Sequence, residues 1–134
     1  MNWVLDASVA MKWFLDEPDA GAARELLLRI SSMENKMAVP ELFFYEVYSV
    51  CMRRHPEPML FAEEGMHLLA RLPIARFPMT EEIAKTGAQY VKIGLTGYDA
   101  IYAALTNLLK GRWITYDKAA AKKLKYPSWI EILE

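Results

Sequence analysis

Four carboxylates interrupt stretches of the sequence that carry no other charge: Asp6, Glu46, Asp99 and Asp117. Asp6 is the only charged residue among the first eleven, and Glu46 is the only one in LFFYEVYSVCM. Asp99 is the only one in LTGYDAIYAALTNLL, and Asp117 closes the run WITYD. Asp and Glu are rarely buried unless they are paired or bind a metal. We therefore predict that several of these acids share one dehydrated site.

Such a cluster requires cations or protons, because two carboxylates about 4 Å apart repel each other by about 4 kcal/mol at an effective dielectric constant of roughly 20. A set of oxygen ligands favours Mg²⁺ or Mn²⁺ over zinc. The two histidines, His55 and His67, lie far from the acids in sequence and have no paired-ligand spacing. Metals in acidic sites activate water and stabilise charge on a phosphodiester. The pattern indicates nuclease or phosphotransfer chemistry.

Each acid also has a structural interpretation. Asp6 and Asp117 are placed to cap the helices that follow them, and the spacing of Thr96 and Asp99 matches a capping box. Glu46 caps nothing, because it lies near the middle of a helical run, although a solvent-facing position remains an alternative. A purely structural explanation for all four acids at once is much less probable than such an explanation for any single acid.

The elements that must position these acids alternate between short apolar runs and longer helical ones, the pattern of βαβ units around a parallel sheet. The predicted strands are Trp3–Asp6, Met37–Pro40, Ile74–Met79, Trp113–Tyr116 and Ile130–Leu133. The predicted helices are Ala7–Leu15, Pro18–Ser32, Glu41–Arg54, Met59–Leu72, Glu81–Ile93, Tyr98–Leu109 and Lys118–Leu124. Pro18 suits a first helical position, Thr80 an N-cap, and Gly94 a left-handed C-terminal stop.

The predicted fold class is α/β, with a doubly wound sheet of about five strands that binds ligands outside the carboxyl ends of its strands. If the first and fourth strands are neighbours, as in the order 3-2-1-4-5, Asp6 and Asp117 meet there. Asp99 lies in the first turn of its helix, and Glu46 shares a helix face with Leu42 and Val50. Both can project toward the same place.

At 134 residues the chain fits one domain, residues 1–134. It has one cysteine, Cys51, and no uncharged stretch near the roughly 18 residues that span a bilayer, so we expect a cytoplasmic protein with no membrane partner. The net charge of −1 gives no global basic field. Binding of nucleic acid would therefore need a local basic patch, and the candidate residues are Lys118, Lys122, Lys123 and Lys125. A solvated helix face explains these lysines equally well.

The chain resembles the PIN-domain ribonucleases, in particular the VapC toxins of toxin–antitoxin pairs. The resemblance is carried by VLDASVAMKWFLDEPD, VPELFFYEV, GLTGYDAIYAAL and ITYDKAAAKKL. The acids of the family motif fall on the four carboxylates, and its supporting hydroxyl falls on Thr115. We also predict Ser8 and Ser49 as supporting residues of the site, together with Thr115. Ser49 stands where the family often has Asn, and Ser is shorter and has one donor rather than two.

The resemblance implies a PIN-like three-layer α/β/α sandwich and a Mg²⁺- or Mn²⁺-dependent endoribonuclease. It also implies a homodimer and a small VapB-like antitoxin. All four acids are expected to hold metal: Asp6 and Asp99 most directly, Asp117 completing the shell, and Glu46 orienting water as the base.

Other functions are weighed against this one. An RNA-processing PIN nuclease and a catalytically idle RNA-binding scaffold are the alternatives within the family. An aspartyl-phosphate phosphatase would need a second Asp at Ser8, and a receiver domain would need an Asp after the third strand, where the sequence has Pro78, Met79 and Thr80.

Overall fold

The computed structural model of the chain describes residues 2–32 and 36–134. The strands are β1 (Asn2–Leu5), β2 (Lys36–Pro40), β3 (Ile74–Phe77), β4 (Arg112–Thr115) and β5 (Ile130–Ile132). The helices are α1 (Ala7–Phe14), α2 (Gly21–Ser31), α3 (Leu42–Arg54), α4 (Pro58–Leu60), α5 (Met66–Arg71), α6 (Glu81–Lys92), α7 (Gly97–Leu108) and α8 (Lys118–Lys123). A π-helical turn, Phe61–Gly65, joins α4 to α5.

The five strands form one parallel sheet in the order β3-β2-β1-β4-β5. Val4 on the central strand pairs with Ala38 on one side and Trp113 on the other. Helices flank the sheet, with α7 against β1, β2 and β4, α3 against β2, and α1 against β4. The predicted α/β class and the predicted strand order 3-2-1-4-5 are confirmed.

The central strands are buried, as expected for a parallel sheet with both faces covered. Their innermost side chains are at most 1 % exposed: Val4, Leu5, Val39, Trp113 and Ile114. Edge strand β3 instead exposes Ala75 and Arg76, and a charged edge discourages pairing with another chain. In the part of the chain that the structure describes, no helix has the length and apolar character needed to cross a membrane.

Three predicted helix ends are confirmed by their hydrogen bonds or backbone angles. Thr80 Oγ1 accepts from the Ile83 N–H at 3.1 Å, which caps α6. Gly94 follows this helix with φ of 110°, the left-handed region that glycine adopts without strain. Thr96 Oγ1 accepts from the Asp99 N–H at 3.1 Å, so α7 begins with half of the predicted capping box.

The second helix begins later than predicted. Pro18 lies in a turn, and α2 starts at Gly21. Lys12 on α1 bonds the carboxylates of both Glu17 and Asp19. These bonds hold the chain in the turn where a local rule predicted the first helical residue.

The helix predicted over Met59–Leu72 is interrupted by the π-helical turn, in which the Met66 N–H donates to the Phe61 carbonyl five residues earlier. A Cβ on Gly65 would lie 2.6 Å from the Phe61 ring. Glycine therefore lets that ring pack across the turn, where it meets Phe14 edge-on with centroids 5.1 Å apart.

The other helices begin and end within one residue of the prediction. Four strands end one or two residues before their predicted ends. Asp6 caps α1 with its side chain, and the Tyr116 N–H donates to Ser8 Oγ at 3.1 Å. Strand β3 ends at Phe77, because Pro78 has no N–H to donate to a sheet.

Candidate active site

Asp6 lies at the carboxyl end of the central strand and is only 8 % exposed. Its Oδ2 accepts from the Ser8 N–H at 3.0 Å, and its Oδ1 accepts from Trp113 Nε1 at 3.2 Å. Burial raises the pKa of Asp6, and these hydrogen bonds oppose that effect. Asp6 therefore does cap α1, and it is also a buried carboxylate without a basic partner among the described residues.

Asp117 lies after the neighbouring strand β4 and caps α8. Its Oδ1 accepts from the N–H of Ala119 at 2.9 Å and of Ala120 at 3.4 Å. This carboxylate is less buried than Asp6. The capping interpretations of Asp6 and Asp117 are thus correct, and they do not exclude a shared site because the strands ending in these acids are adjacent.

The hydroxyls of Ser8 and Thr115 tie the two acid-bearing turns together. Their oxygens lie 3.3 Å apart. Ser8 Oγ accepts from the Tyr116 N–H, and Thr115 Oγ1 accepts from the Asp117 N–H at 2.9 Å. Two of the three predicted supporting residues, Ser8 and Thr115, therefore hold the backbone at Tyr116 and Asp117.

Glu46 lies in the middle of α3 and is half-buried. Its Oε1 accepts from the hydroxyl of Tyr102 on α7 at 2.8 Å. Burial raises the pKa of Glu46 to about 7, the Tyr102 hydrogen bond opposes this, and the charges of Asp6 and Asp99 add to it. A carboxylate bonded to a buried tyrosine does not belong to a solvent-facing stripe.

Asp99 lies in the first turn of α7. Burial raises its pKa to about 6, with further contributions from the charges of Asp117 and Asp6. The Thr96 hydroxyl and the charge of Lys123 lower it. Asp99 is therefore the acid whose pKa responds to both strand-end carboxylates.

The four acids thus lie near one another at one edge of the sheet, but they do not form a closed metal-binding cage. Glu46 interacts with Asp6 and Asp99, and Asp99 interacts in turn with Asp117. Among residues 2–32 and 36–134, no three or more His, Cys, Asp and Glu side chains already enclose a position for a metal ion. Mg²⁺ does not require such a cage, since it commonly binds one or two carboxylates, several waters and substrate phosphates.

The other predicted residues have different positions relative to the acids. Ser49 is exposed and lines the same cavity as Glu46. Lys123 is near enough to lower the pKa of Asp99, whereas Lys118 lies 3.3 Å from a carboxylate oxygen of Glu134. Lys122 and Lys125 are exposed, at and just beyond the end of α8.

The sequence interpretation did not include two aromatic residues that hold the acids. Tyr102 and Trp113 are at most 1 % exposed and stack with ring centroids 5.8 Å apart and planes 4° apart. One donates to Glu46 and the other to Asp6. A usable signal was present, because a buried phenol or indole almost always needs an acceptor and the apolar runs around Tyr102 and Trp113 offer few.

Comparison with known proteins identifies the family and the fold. The PIN domain family profile matches residues 3–125. No curated protein matches the chain. VapBC2 from Rickettsia felis, bound to a promoter DNA fragment, has a TM-score of 0.73 at 13 % identity over 100 % of both chains.

Two further structures share the fold at similarly low identity. VapC20 of Mycobacterium tuberculosis, described as a sarcin–ricin loop cleaving toxin, has a TM-score of 0.73 at 12 % identity, with 98 % of this chain and 99 % of that one covered. FitAcB from Neisseria gonorrhoeae has a TM-score of 0.67 at 14 % identity, with 98 % and 96 % covered. With the profile spanning nearly the whole sequence, this chain belongs to the PIN domain family.

Proposed function

We propose that this chain is an endoribonuclease that depends on Mg²⁺ or Mn²⁺ and uses Asp6, Glu46, Asp99 and Asp117. The observation that carries the proposal is the gathering of four carboxylates at the carboxyl ends of β1 and β4, where burial and the neighbouring acids raise the pKa of Glu46 and of Asp99. No Lys or Arg in the described residues forms an ion pair with any of the four. A cluster of this kind is suited to neutralisation by a cation from solution.

The donor set fits a hard divalent ion, since every candidate ligand atom is a carboxylate oxygen. Asp6 and Asp99 would hold the ion, and Asp117 would complete its shell. Such an ion, when bound, lowers the pKa of water and stabilises charge developing on the phosphodiester.

The remaining steps are carried by side chains. Trp113 and the Ser8 N–H fix both oxygens of Asp6, so its orientation is set before substrate arrives. Glu46 accepts the proton of the attacking water, and its pKa of about 7 suits a base that works near neutral pH. The Tyr102 hydroxyl favours the ionised form of that base, because it donates to the carboxylate.

Metal dependence tests this proposal directly. Purified protein is incubated with RNA in Mg²⁺, in Mn²⁺ and in a chelator, and cleavage is expected only with metal. Equal cutting in the chelator, persisting after repurification, would contradict the mechanism.

We also propose that the protein is the toxin of a toxin–antitoxin pair, with a small VapB-like antitoxin, and that it works in the cytoplasm. The structural neighbours support this, since they include a toxin–antitoxin complex from Klebsiella pneumoniae and VapBC2 from Rickettsia felis. Expression of the chain alone should arrest growth, and co-expression of a short reading frame adjacent to its gene should restore it. Unchanged growth from a nuclease that cleaves RNA in vitro would favour RNA processing instead.

A homodimer is proposed as the working form. Large apolar side chains on and beside α6 are exposed, as is common where subunits meet: Met79, Val91 and Ile93. Light scattering at micromolar concentration should give twice the chain mass, and a monomer mass over a wide concentration range would reject the dimer.

A further inference from the structure

A cavity of about 350 Å³ opens beside Glu46, between α3 and α7. Its walls include Tyr45, Glu46, Ser49 and Tyr98, together with apolar side chains of α1 and α3. The volume is in the range of pockets that bind small molecules, roughly 300–1,000 Å³. The cavity is therefore large enough for a ligand group next to the proposed base.

Two exposed tyrosines give this cavity its character. Tyr45 is 67 % exposed and Tyr98 is 60 % exposed. Each directly precedes one of the acids in sequence, Glu46 and Asp99, and both line the same cavity although they come from different helices. Aromatic faces left open to solvent beside a candidate active site are suited to stacking with a planar ligand.

Charge restricts what can occupy the cavity. No Lys or Arg is among its lining residues in the described part of the chain, and the Glu46 carboxylate forms part of its wall. A phosphate would be repelled there. A neutral, planar group with N–H donors would instead find an acceptor in the Ser49 hydroxyl.

The basic side chains lie elsewhere. Lys123 on α8 is close enough to Asp99 to lower its pKa. Phosphates of a nucleic acid strand are attracted to such lysines, while its bases are the neutral planar groups. The two kinds of surface, tyrosines on α3 and α7 and lysines on α8, thus match the two chemical parts of one strand.

We propose that the cavity between Tyr45 and Tyr98 binds an unpaired base of the RNA substrate, stacked on these rings beside the phosphodiester that is cleaved. This inference rests on the proposed ribonuclease function and names the residues that position the RNA next to the proposed base. Paired bases are inaccessible to such stacking, and sequence-specific RNA recognition mostly uses unstacked bases on aromatic side chains. Ser49 contributes a hydrogen bond to the base edge rather than to the acids.

The test measures binding apart from cleavage. The Asp6→Asn variant, with Asp117→Asn as a second background if the first does not fold, is titrated in Mg²⁺ with eight-nucleotide RNAs. Each RNA carries 2-aminopurine, whose fluorescence is quenched on stacking, at a different position. Quenching is expected at one position, and not when the same RNA is annealed to its complement.

Substitutions in this background assign the quenching to the cavity. Tyr98→Ala and Tyr45→Ala should each weaken binding about tenfold, within the range measured for loss of one base–aromatic stack. Tyr98→Phe and Tyr45→Phe should stay within about twofold, because stacking needs the ring and not the hydroxyl. Tyr48→Ala is the matched control, since this tyrosine is 46 % exposed on the same helix but does not line the cavity.

Unchanged affinity in both alanine variants would overturn the inference, and metal-dependent cleavage by the parent protein would then leave the ribonuclease proposal standing. If the quenching depends on the tyrosines but the parent protein cleaves no RNA, the base-binding cavity is supported and the ribonuclease proposal is rejected. If the alanine variants bind RNA normally but light scattering shows that they alone lose a dimer, the cavity belongs to a second copy of the chain, and the inference is wrong.

Discussion

Two groups of acids in this protein have opposite electrostatic environments. In the first, Lys12 bonds both Glu17 and Asp19, and Arg54 bonds Glu17 at 3.0 Å. The hydrogen bond from Lys12 is the largest of the effects that keep the pKa values of Glu17 and Asp19 below their usual range. In the second, formed by the four acids of the candidate active site, burial and like charge raise the pKa values of Glu46 and Asp99.

Under the proposed function, this difference separates a structural role from a catalytic one. Paired acids hold the turn before α2 and need nothing from solution. Glu46 and Asp99 have no basic partner and oppose folding while they stay ionised, and under the proposed function a cation from solution would offset this cost. Functional sites commonly carry such a stability cost.

The largest contrast is expected in catalysis. Asp6→Asn should lower RNA cleavage at least a hundredfold, since loss of a metal ligand should exceed the roughly 10–100-fold cost of losing an outer-shell partner. Asp19→Asn makes the same chemical change in the paired group and should keep activity within about twofold, because surface ion pairs contribute little. Initial rates in Mg²⁺ and circular dichroism of both variants decide the matter. Comparable losses in the two would mean that the acids do not differ in role.

A smaller, pH-dependent effect is expected from Tyr102. Tyr102→Phe removes the donor that favours ionised Glu46, so the pKa of Glu46 should rise further. Cleavage should then fall several-fold at pH 6 and much less at pH 8.5. The acidic limb of the kcat/KM profile should therefore move to higher pH. Tyr90→Phe, a change in a half-buried tyrosine packed on Trp129, serves as the control. A uniform loss at all pH values would indicate a packing defect instead.

The paired group is tested through stability. Lys12→Met should lower the free energy of unfolding at pH 7 by about 1–2 kcal/mol, between the values for exposed and buried pairs, with activity retained. The pKa values of Glu17 and Asp19 are lowered on folding, so this stabilisation is present above their ordinary values of 4.5 and 3.8 and is lost as the pH falls below them. The gap between wild type and variant in urea denaturation should therefore close under acidic conditions. If the difference in stability stays constant down to pH 3, it comes from lost packing of the Lys12 side chain and not from the ion pairs.

Sequence reasoning found the acids and the sheet because both rest on strong local signals. A single carboxylate in an apolar run, such as Glu46 in LFFYEVYSVCM, contradicts the preference of its neighbours for burial. The alternation of strands and helices predicted a parallel sheet. The order 3-2-1-4-5 was the condition under which Asp6 and Asp117 would meet, and the structure confirms this order.

What was missed depends on how distant segments meet. The bond between Tyr102 and Glu46 joins residues 56 positions apart, so it requires the relative placement of α3 and α7. The start of α2 was wrong because the bonds from Lys12 to two acids outweighed the tendency of Pro18 to begin a helix. The π-helical turn was missed because it depends on how the Phe61 ring packs against Gly65.

The central claim is that the carboxylates of the candidate active site bind a divalent cation. The stability of the Glu46→Gln variant tests this claim most directly. Because the folded-state pKa of Glu46 is about 7 and its ordinary value is 4.5, metal-free wild type should lose stability as the pH rises through this window. The variant, which cannot ionise at that position, should avoid this loss.

Urea denaturation of wild type, Glu46→Gln and the control Glu17→Gln is measured at pH 5 and pH 8, in chelator and in Mg²⁺. In chelator at pH 8, Glu46→Gln should be more stable than wild type by about 1–2 kcal/mol, given relief of partly screened repulsion. The gap should shrink at pH 5, and Mg²⁺ should shrink or reverse it by binding folded wild type. Glu17→Gln should be less stable than wild type throughout. A Glu46→Gln protein no more stable than wild type in chelator, with Mg²⁺ acting equally on both, would contradict the account.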